Sequence, residues 1–401
     1  MNISKILPNT SIQISLPNLH LSKKLVYGEI AKTCFLTASY FTDPLCKGHE
    51  FFRRLQIVEV LHPMASRITN FARKAFLLVG LAGLTSVALV TTPMGIGLRY
   101  VGMQTQPTPF IYLQGDKKDK TLPWDQSFSL LSWNVCCIGA GYPISDGGVT
   151  PWHMRLGSVI EKILEKDADV NCLYEVFDVQ TAFTLYQALK KKGYNHFYCN
   201  MGAKSIGTSS GIFVASKYKI SHPEFIPFSQ DMLVGRTKHA GKGAFAFDLE
   251  SQGKAFATIC ATHMQHSELP EFPTIEEVEA RKMQMDVITK KVSKIANRCA
   301  IVTGDLNLDD QEYKASFWQR YFQKGDAFPS SEKTWDGDAF SANLVGKKVS
   351  GPLNLDHTML LKDSAHSIHT SLVKTGFDAK VLKKEALSDH EGLFSQIRLK
   401  H

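Results

Sequence analysis

Short apolar runs that stop at a single acid, amide or imidazole recur along this 401-residue chain, and they constrain its fold more than any other feature. Ile301-Val302 leads into Gly304-Asp305-Leu306-Asn307. Side chains alternate with period two along a strand, so Asp305 and Asn307 project the same way and meet at the strand's mouth. The same pattern gives Asn134 in SWNV, Glu175 in CLYEVFD and His263 in ATHMQ. Asp356, in LDHTML, and Asp389-His390, just before the apolar run Leu393 to Leu399, belong to two more such segments. Polar groups at buried or rim positions need partners, and scattering them over separate sites would leave each needing its own. One shared site at the rims of the sheets is the simpler reading.

Between these runs the period changes. Phe128 to Val135, Asp169 to Tyr174, Gly211 to Ala215, Ala244 to Leu249, Ala255 to Thr262 and 300 to 303 have the length and composition of strands. Arg155 to Glu165 carries apolar residues at 156, 159, 160, 163 and 164, a helical stripe, and Gln180 to Lys191 and Glu276 to Ala296 read as further helices. Strands mixed with peripheral helices predict an α/β (α+β) class, with two packed mixed sheets and helices outside. The basic run Lys190 to Lys192 reads as a solvated helix C-terminus. His266, His357, His366 and His369 are expected to be solvated and take no role.

Charge divides the chain. Residues 1 to 110 hold eleven Lys or Arg against four Asp or Glu, whereas 111 to 401 hold 35 against 34. A near-neutral catalytic portion is a poor match to a polyanion, so no nucleic-acid partner is expected, while the basic N-terminal part suits anionic lipid. From Ala75 to Leu98 no residue carries a formal charge. As a helix that stretch would measure about 36 Å, enough to cross a hydrocarbon layer, and Gly80, Gly83, Pro93, Gly95 and Gly97 fit a membrane helix or re-entrant hairpin. The expected organisation is a membrane-associated basic and hydrophobic region over 1 to 103, a Pro-rich and charged linker over 104 to 126, and a catalytic domain over 127 to 401. Cysteines at 34, 46, 136, 137, 172, 199, 260 and 299 form no CxxC pair and no zinc-like spacing, and they read as free thiols in a reducing compartment.

At these residues the chain resembles the endonuclease/exonuclease/phosphatase superfamily, over roughly 127 to 400. The segments CLYEVFD, SSGIFVASKYKI, KGAF and ATHMQ look like its neutral sphingomyelinase branch, and the hydrophobic N-terminal region followed by PFIY is similar to mammalian members of that branch. The resemblance implies a four-layered α/β sandwich of two sheets flanked by helices. It also implies Mg²⁺-dependent hydrolysis of sphingomyelin to ceramide and phosphocholine at a membrane, with Mn²⁺ as a substitute ion. A nuclease or another phosphodiesterase on the same fold is the alternative.

The resemblance further implies that Glu175, helped by Asn134, holds the metal, and that Asp389 ligates a second ion or orients its loop. His390, oriented by Asp356, would take a proton from the attacking water, with Asp305 the other candidate base. Asp305 and Asn307 would position water and a phosphoryl oxygen, and His263 would donate to developing charge. Lys242 would bind substrate or regulate. Two features set the chain apart from sister branches of the superfamily, and two depart from the sphingomyelinase pattern itself. Nuclease relatives carry Gln where Tyr174 stands, and inositol-polyphosphate phosphatases carry an Asp-Arg element where Leu355-Asp356-His357 stands. The aspartate that partners the KG lysine is replaced by Thr237, with Asp231 further upstream, and the paired lipid-bearing cysteines are missing, since Cys34 and Cys46 stand alone.

Overall fold

The computed structural model describes residues 16–56, 58–62, 64–138, 149, 151–294, 299–325, 328, 331–335, 352–362, 366–375 and 387–400. The chain opens with α1 (Leu16–Gln56), a short α2 (Val58–Leu61) and α3 (Arg67–Thr105). It continues with β1 (Ile111–Gln114), β2 (Ser127–Asn134), α4 (Trp152–Lys166), β3 (Val170–Tyr174), α5 (Val179–Lys190), β4 (His196–Cys199), β5 (Phe213–Ser216) and β6 (Lys219–Pro227). After β7 (Gly243–Ser251) and β8 (Lys254–His263) come α6 (Ile275–Val292), β9 (Cys299–Asp305), α7 (Asp310–Ala315) and α8 (Trp318–Tyr321). Strands β10 (Phe322–Lys324), β11 (Asp356–Leu361), β12 (Ser367–Val373) and β13 (Gly392–Arg398) complete the order.

The strands form a seven-stranded sheet, β1-β4-β5-β3-β2-β13-β12, and a six-stranded sheet, β10-β11-β9-β8-β7-β6. Both are mixed, and each contains one parallel pair, β2 with β3 and β8 with β9. Parallel neighbours need a crossover, and helices α4 and α6 supply them. Each crossover helix follows from its sequence. Leu156, Val159 and Ile163 form the buried stripe of α4. Helix α6 begins at a capping box in which Thr274 and Glu277 satisfy each other's backbone N–H groups.

Three apolar layers hold the sandwich together. Trp133, Leu173 and Phe213 pack on α4 and α5 outside the first sheet. Leu130, Val214, Phe245, Ile259 and Ile301 fill the space between the sheets. Met285, Ile288, Val302 and Trp318 join α6 and α8 to the second sheet. The fold expected from the superfamily resemblance is therefore present. Within the middle layer Tyr174 carries its hydroxyl across to donate to Thr303 O at 3.1 Å, tying β3 to β9 close to the rim.

Glycine is required at Gly304. Its φ is +155°, and a Cβ there would stand 1.8 Å from Thr262 O on the neighbouring strand. Only a residue without a side chain lets β9 run this close to β8 where both strands end.

Inside the stretch expected to be a linker, Ile111–Gln114 forms an edge strand paired to β4, with Ile111 and Leu113 buried and Tyr112 and Gln114 exposed. Two buried apolar residues outweigh the polar composition around them. The uncharged segment lies within α3, which runs unbroken through Pro93 and packs along α1. An 18-residue window of α3 has a mean hydropathy of 2.0 and is 6% buried, so by length and composition this helix could cross a membrane.

Candidate active site

The C-terminal ends of the two parallel pairs meet at one rim, because the sheets stack face to face with those ends together. Asn134 stands beside Tyr174 in the β2–β3 register, and His263 stands beside Asp305 in the β8–β9 register. Antiparallel β11 starts opposite the end of β9, which brings Asp356 level with Asp305. Glu175 follows β3 directly, and Asp389-His390 lies just before β13. One cluster thus collects Asn134, Glu175, His263, Asp305, Asp356 and His390, as the strand-end pattern predicts.

Distances within the cluster are short. Asn134 Nδ2 donates to Asp305 Oδ2 at 2.9 Å, and the Asn134 Oδ1 accepts from Cys136 N at 2.9 Å. Asp305 Oδ1 accepts from Asn307 N at 3.1 Å. His263 Nε2 lies 3.4 Å from Asp305 Oδ2 and 3.9 Å from Glu175 Oε1. His390 Nδ1 donates to Asp356 Oδ2 at 2.7 Å, which leaves Nε2 pointing into the site 3.7 Å from Asp305 Oδ2. Asp356 is itself fixed, since the Thr334 hydroxyl accepts from the N–H groups of Leu355 and Asp356.

Backbone strain gathers here too. Cys136, Glu175 and Asn307 have φ of 47°, 61° and 50°, a region that residues with side chains rarely occupy.

The electrostatics suit a bound cation. Burial, reinforced by Asp389, lifts the Glu175 carboxyl to about 7, although Lys242 and His390 pull the other way. Burial likewise lowers the Lys242 ammonium to about 7 against the attraction of Asp305 and Glu175. Burial raises Asp356 to about 6 despite its His390 partner. For His390 burial opposes the charged form, but Asp356, Asp305 and Asp389 outweigh it and hold the imidazole well above its ordinary value. His263 goes the other way, driven down by burial and then by Lys242 and His390, and stays neutral.

Several groups are left wanting a partner. Among the described residues no donor lies within hydrogen-bond distance of the Glu175 carboxylate, with His263 Nε2 3.9 Å away, and His263 Nδ1 and Asn307 Nδ2 have no hydrogen-bond partner. Glu175, His263 and Asp305 offer ligand atoms within 4.8 Å of one another, as do Asp305, Asp356 and His390. Hard oxygen donors beside imidazole, with an excess of carboxylates, suit a divalent cation such as Mg²⁺ or Mn²⁺.

Other expected residues fall as follows. Asp389 accepts from Ser388 Oγ at 3.3 Å, and its charge is felt by Glu175 and by the Cys136 thiol. Lys242 is buried and donates to Met264 O at 3.1 Å. Asp231 is exposed in a separate 3₁₀ turn, whereas Thr237 meets His266 Nδ1 at 2.8 Å and Gln265 Nε2 at 3.0 Å. His357, expected to be solvated, is fully buried and bonds Leu308 O at 2.7 Å, because β11 turns it toward α7. His266 is half-buried. Thr334 and Trp133, which help hold Asp356 and His390 in place, carry no sequence signal of their own, whereas Ser388, which accepts from His390 N, stands in the same run as Asp389-His390.

A scan against protein-family models finds none that matches this chain. Among solved structures the chain is similar to SmcL, with a TM-score of 0.55 and 19% identity over 69% of this chain and 100% of that one. It is also similar to a beta toxin double mutant from Staphylococcus aureus crystallised with bound magnesium ions, with a TM-score of 0.54 and 20% identity over 68% of this chain and 100% of that one. TDP2 from C. elegans gives a TM-score of 0.51 and 15% identity over 87% of this chain and 93% of that one. At these identities the likeness establishes a shared fold.

Proposed function

We propose that this protein is a membrane-associated, Mg²⁺-dependent phosphodiesterase that hydrolyses sphingomyelin to ceramide and phosphocholine. The observation that carries the reading is the convergence of Glu175, His263, Asp305, Asp356 and His390 within hydrogen-bond or near-contact distance at one strand-end rim. Resemblance of the segments around Glu175, Lys242 and His263 to the neutral sphingomyelinase branch narrows the substrate to a choline phospholipid. The fold shared with a magnesium-bound beta toxin supports the choice of ion.

Glu175, with Asn134 and Asp389 nearby, would hold the ion, which when bound neutralises charge on the phosphodiester and on the departing alkoxide. His263, neutral and with Nε2 aimed at the carboxylates, would donate to a phosphoryl oxygen. The unpartnered Nδ2 of Asn307 would do the same. Asp305, 3.7 Å from His390 Nε2, would take the proton of the attacking water, and the His390 imidazolium that Asp356 orients and keeps charged would donate from Nε2. Lys242, buried beside Glu175 and Asp305, would face the substrate phosphate once it is bound.

The α1–α3 hairpin would anchor the protein to the bilayer that contains the substrate. Its flanking Arg67, Arg73 and Lys74 favour anionic lipid, by about 1 kcal/mol each near the surface. Free thiols at all eight cysteines suit a catalytic domain in a reducing compartment.

One comparison separates this reading from a nuclease on the same fold. Full-length protein is incubated in Mg²⁺ with sphingomyelin vesicles, phosphatidylcholine vesicles and supercoiled plasmid, and release of phosphocholine or nicking is measured. Phosphocholine release from sphingomyelin is expected, with protein remaining on the vesicles after a high-salt wash. Nicking without headgroup release would replace the lipid reading with the nuclease one, and protein stripped by salt would remove the apolar anchor.

A further inference from the structure

Arg155 lies on α4, outside the reacting cluster, yet it is 1% exposed. Its Nη1 donates to Val135 O at 2.7 Å and to Leu387 O, and its Nη2 donates to Cys136 O. These carbonyls belong to two different loops. One leaves β2 immediately after Asn134, and the other enters β13 through Ser388-Asp389-His390. Two more bonds close the same seam: Ser388 Oγ donates to Asn134 O at 2.6 Å, and Trp133 Nε1 donates to His390 O at 3.0 Å.

Packing alone does not explain an arginine here. The other buried residues of α4 are Leu156, Val159 and Ile163, and an apolar side chain would continue that stripe without burying a charge. What an apolar side chain cannot do is join two loops. The guanidinium is a planar fork with five donors, so one group reaches the carbonyls of residues 135, 136 and 387 together, whereas a lysine ammonium is a compact point charge. The left-handed backbone at Cys136, unusual for a residue with a Cβ, accompanies this contact.

We propose that Arg155 is a positioning residue that sets Asp389 and His390 against Asn134 and Asp305. Asn134 bonds Asp305, and His390 bonds Asp356, so the two halves of the cluster come from opposite sides of the seam the guanidinium spans. Release of the fork lets the 387–390 loop move relative to β2, and a displacement of about 1 Å at a catalytic group can cost up to about a hundredfold in rate. The kinetic consequence rests on the proposed phosphodiester hydrolysis; the structural one does not.

The test uses full-length protein with Arg155→Met and Arg155→Lys, and two readouts. The first is kcat and KM for phosphocholine release. The second is the downfield proton resonance of the His390 Nδ1–H bonded to Asp356, assigned by its loss in His390→Ala. Both variants are expected to unfold cooperatively, to lose at least about tenfold in kcat with KM within about threefold of wild type, and to shift or lose the resonance. Failure of lysine to restore either readout separates the two-loop fork from a simple need for buried charge. If Arg155→Met does not fold, Arg155→Lys, which keeps the charge and most of the volume, carries the same comparison. If wild type releases no phosphocholine, the resonance decides alone. A wild-type resonance in the folded variants would overturn the proposal, whatever the turnover.

Discussion

Glu175→Gln is expected to abolish turnover, by roughly a thousandfold or more, while making the metal-free protein more stable at pH 8 and leaving its stability at pH 5 nearly unchanged. Two consequences of burial combine. The carboxyl is lifted to about 7 by desolvation and by Asp389, so the folded state holds this proton more tightly than the unfolded chain does. Its contribution to stability is fully present below the ordinary value of 4.5 and is lost as pH rises through about 7. In the metal-free protein at pH 8 the half-buried side chain is an uncompensated anion, and glutamine removes that cost, worth a few degrees in melting temperature.

Magnesium should reverse the order. Binding only to the folded wild type, it raises the wild-type melting temperature in proportion to the logarithm of its concentration and leaves the variant unmoved. Melting scans at both pH values, with and without Mg²⁺, check this. Full turnover of wild type in chelator, or equal Mg²⁺ stabilisation of both proteins, would remove Glu175 from the metal site.

His390→Ala should lower kcat by at least about a hundredfold, the scale of a lost proton-transfer group, with vesicle binding unchanged. Asp305→Asn should do the same, since Asp305 is contacted by Asn134, His263 and His390 together. Asp356→Asn separates orientation from chemistry. Asp356 is the strongest of the three carboxylates that keep the His390 imidazole charged, so its neutralisation should move the His390 titration to lower pH and carry the corresponding limb of the kcat profile with it. Near-normal turnover in His390→Ala would remove His390 from the proton path and leave Asp305 as the base.

Much of this site was legible because strand ends carry their own signature. Apolar runs ending at Asn134, Glu175, His263 and Asp305 mark the exits of β2, β3, β8 and β9, and the parallel pairing of those strands then brings the exits together. Helix α4 was equally readable from its apolar stripe, and α5 and α6 as helical segments, whereas the caps at Asp178 and Thr274 were not read. Strands β1, β4 and β10 were not readable, since three or four residues show no period; β5 is as short and was readable only from its apolar composition after Gly211. In β6, Pro223 and a register shift between Ser221 and Glu224 break the alternation. Tertiary partners stayed hidden for a different reason. Nothing local distinguishes Arg155 from any other arginine on a helix, since its carbonyl partners lie about 20 and 230 residues away in the chain. His357 was misread because a lone histidine beside Asp356 gives no sign of which face of β11 it occupies.

Solvent oxygen tracing tests the central claim most directly. Wild-type protein turns over sphingomyelin in Mg²⁺ and ¹⁸O-enriched water, and both products are analysed by mass spectrometry. Water attack on phosphorus predicts one solvent oxygen in each phosphocholine, none in ceramide, and no product in EDTA. Label in ceramide, or product formation that continues in EDTA, would contradict metal-assisted attack on phosphorus at this cluster.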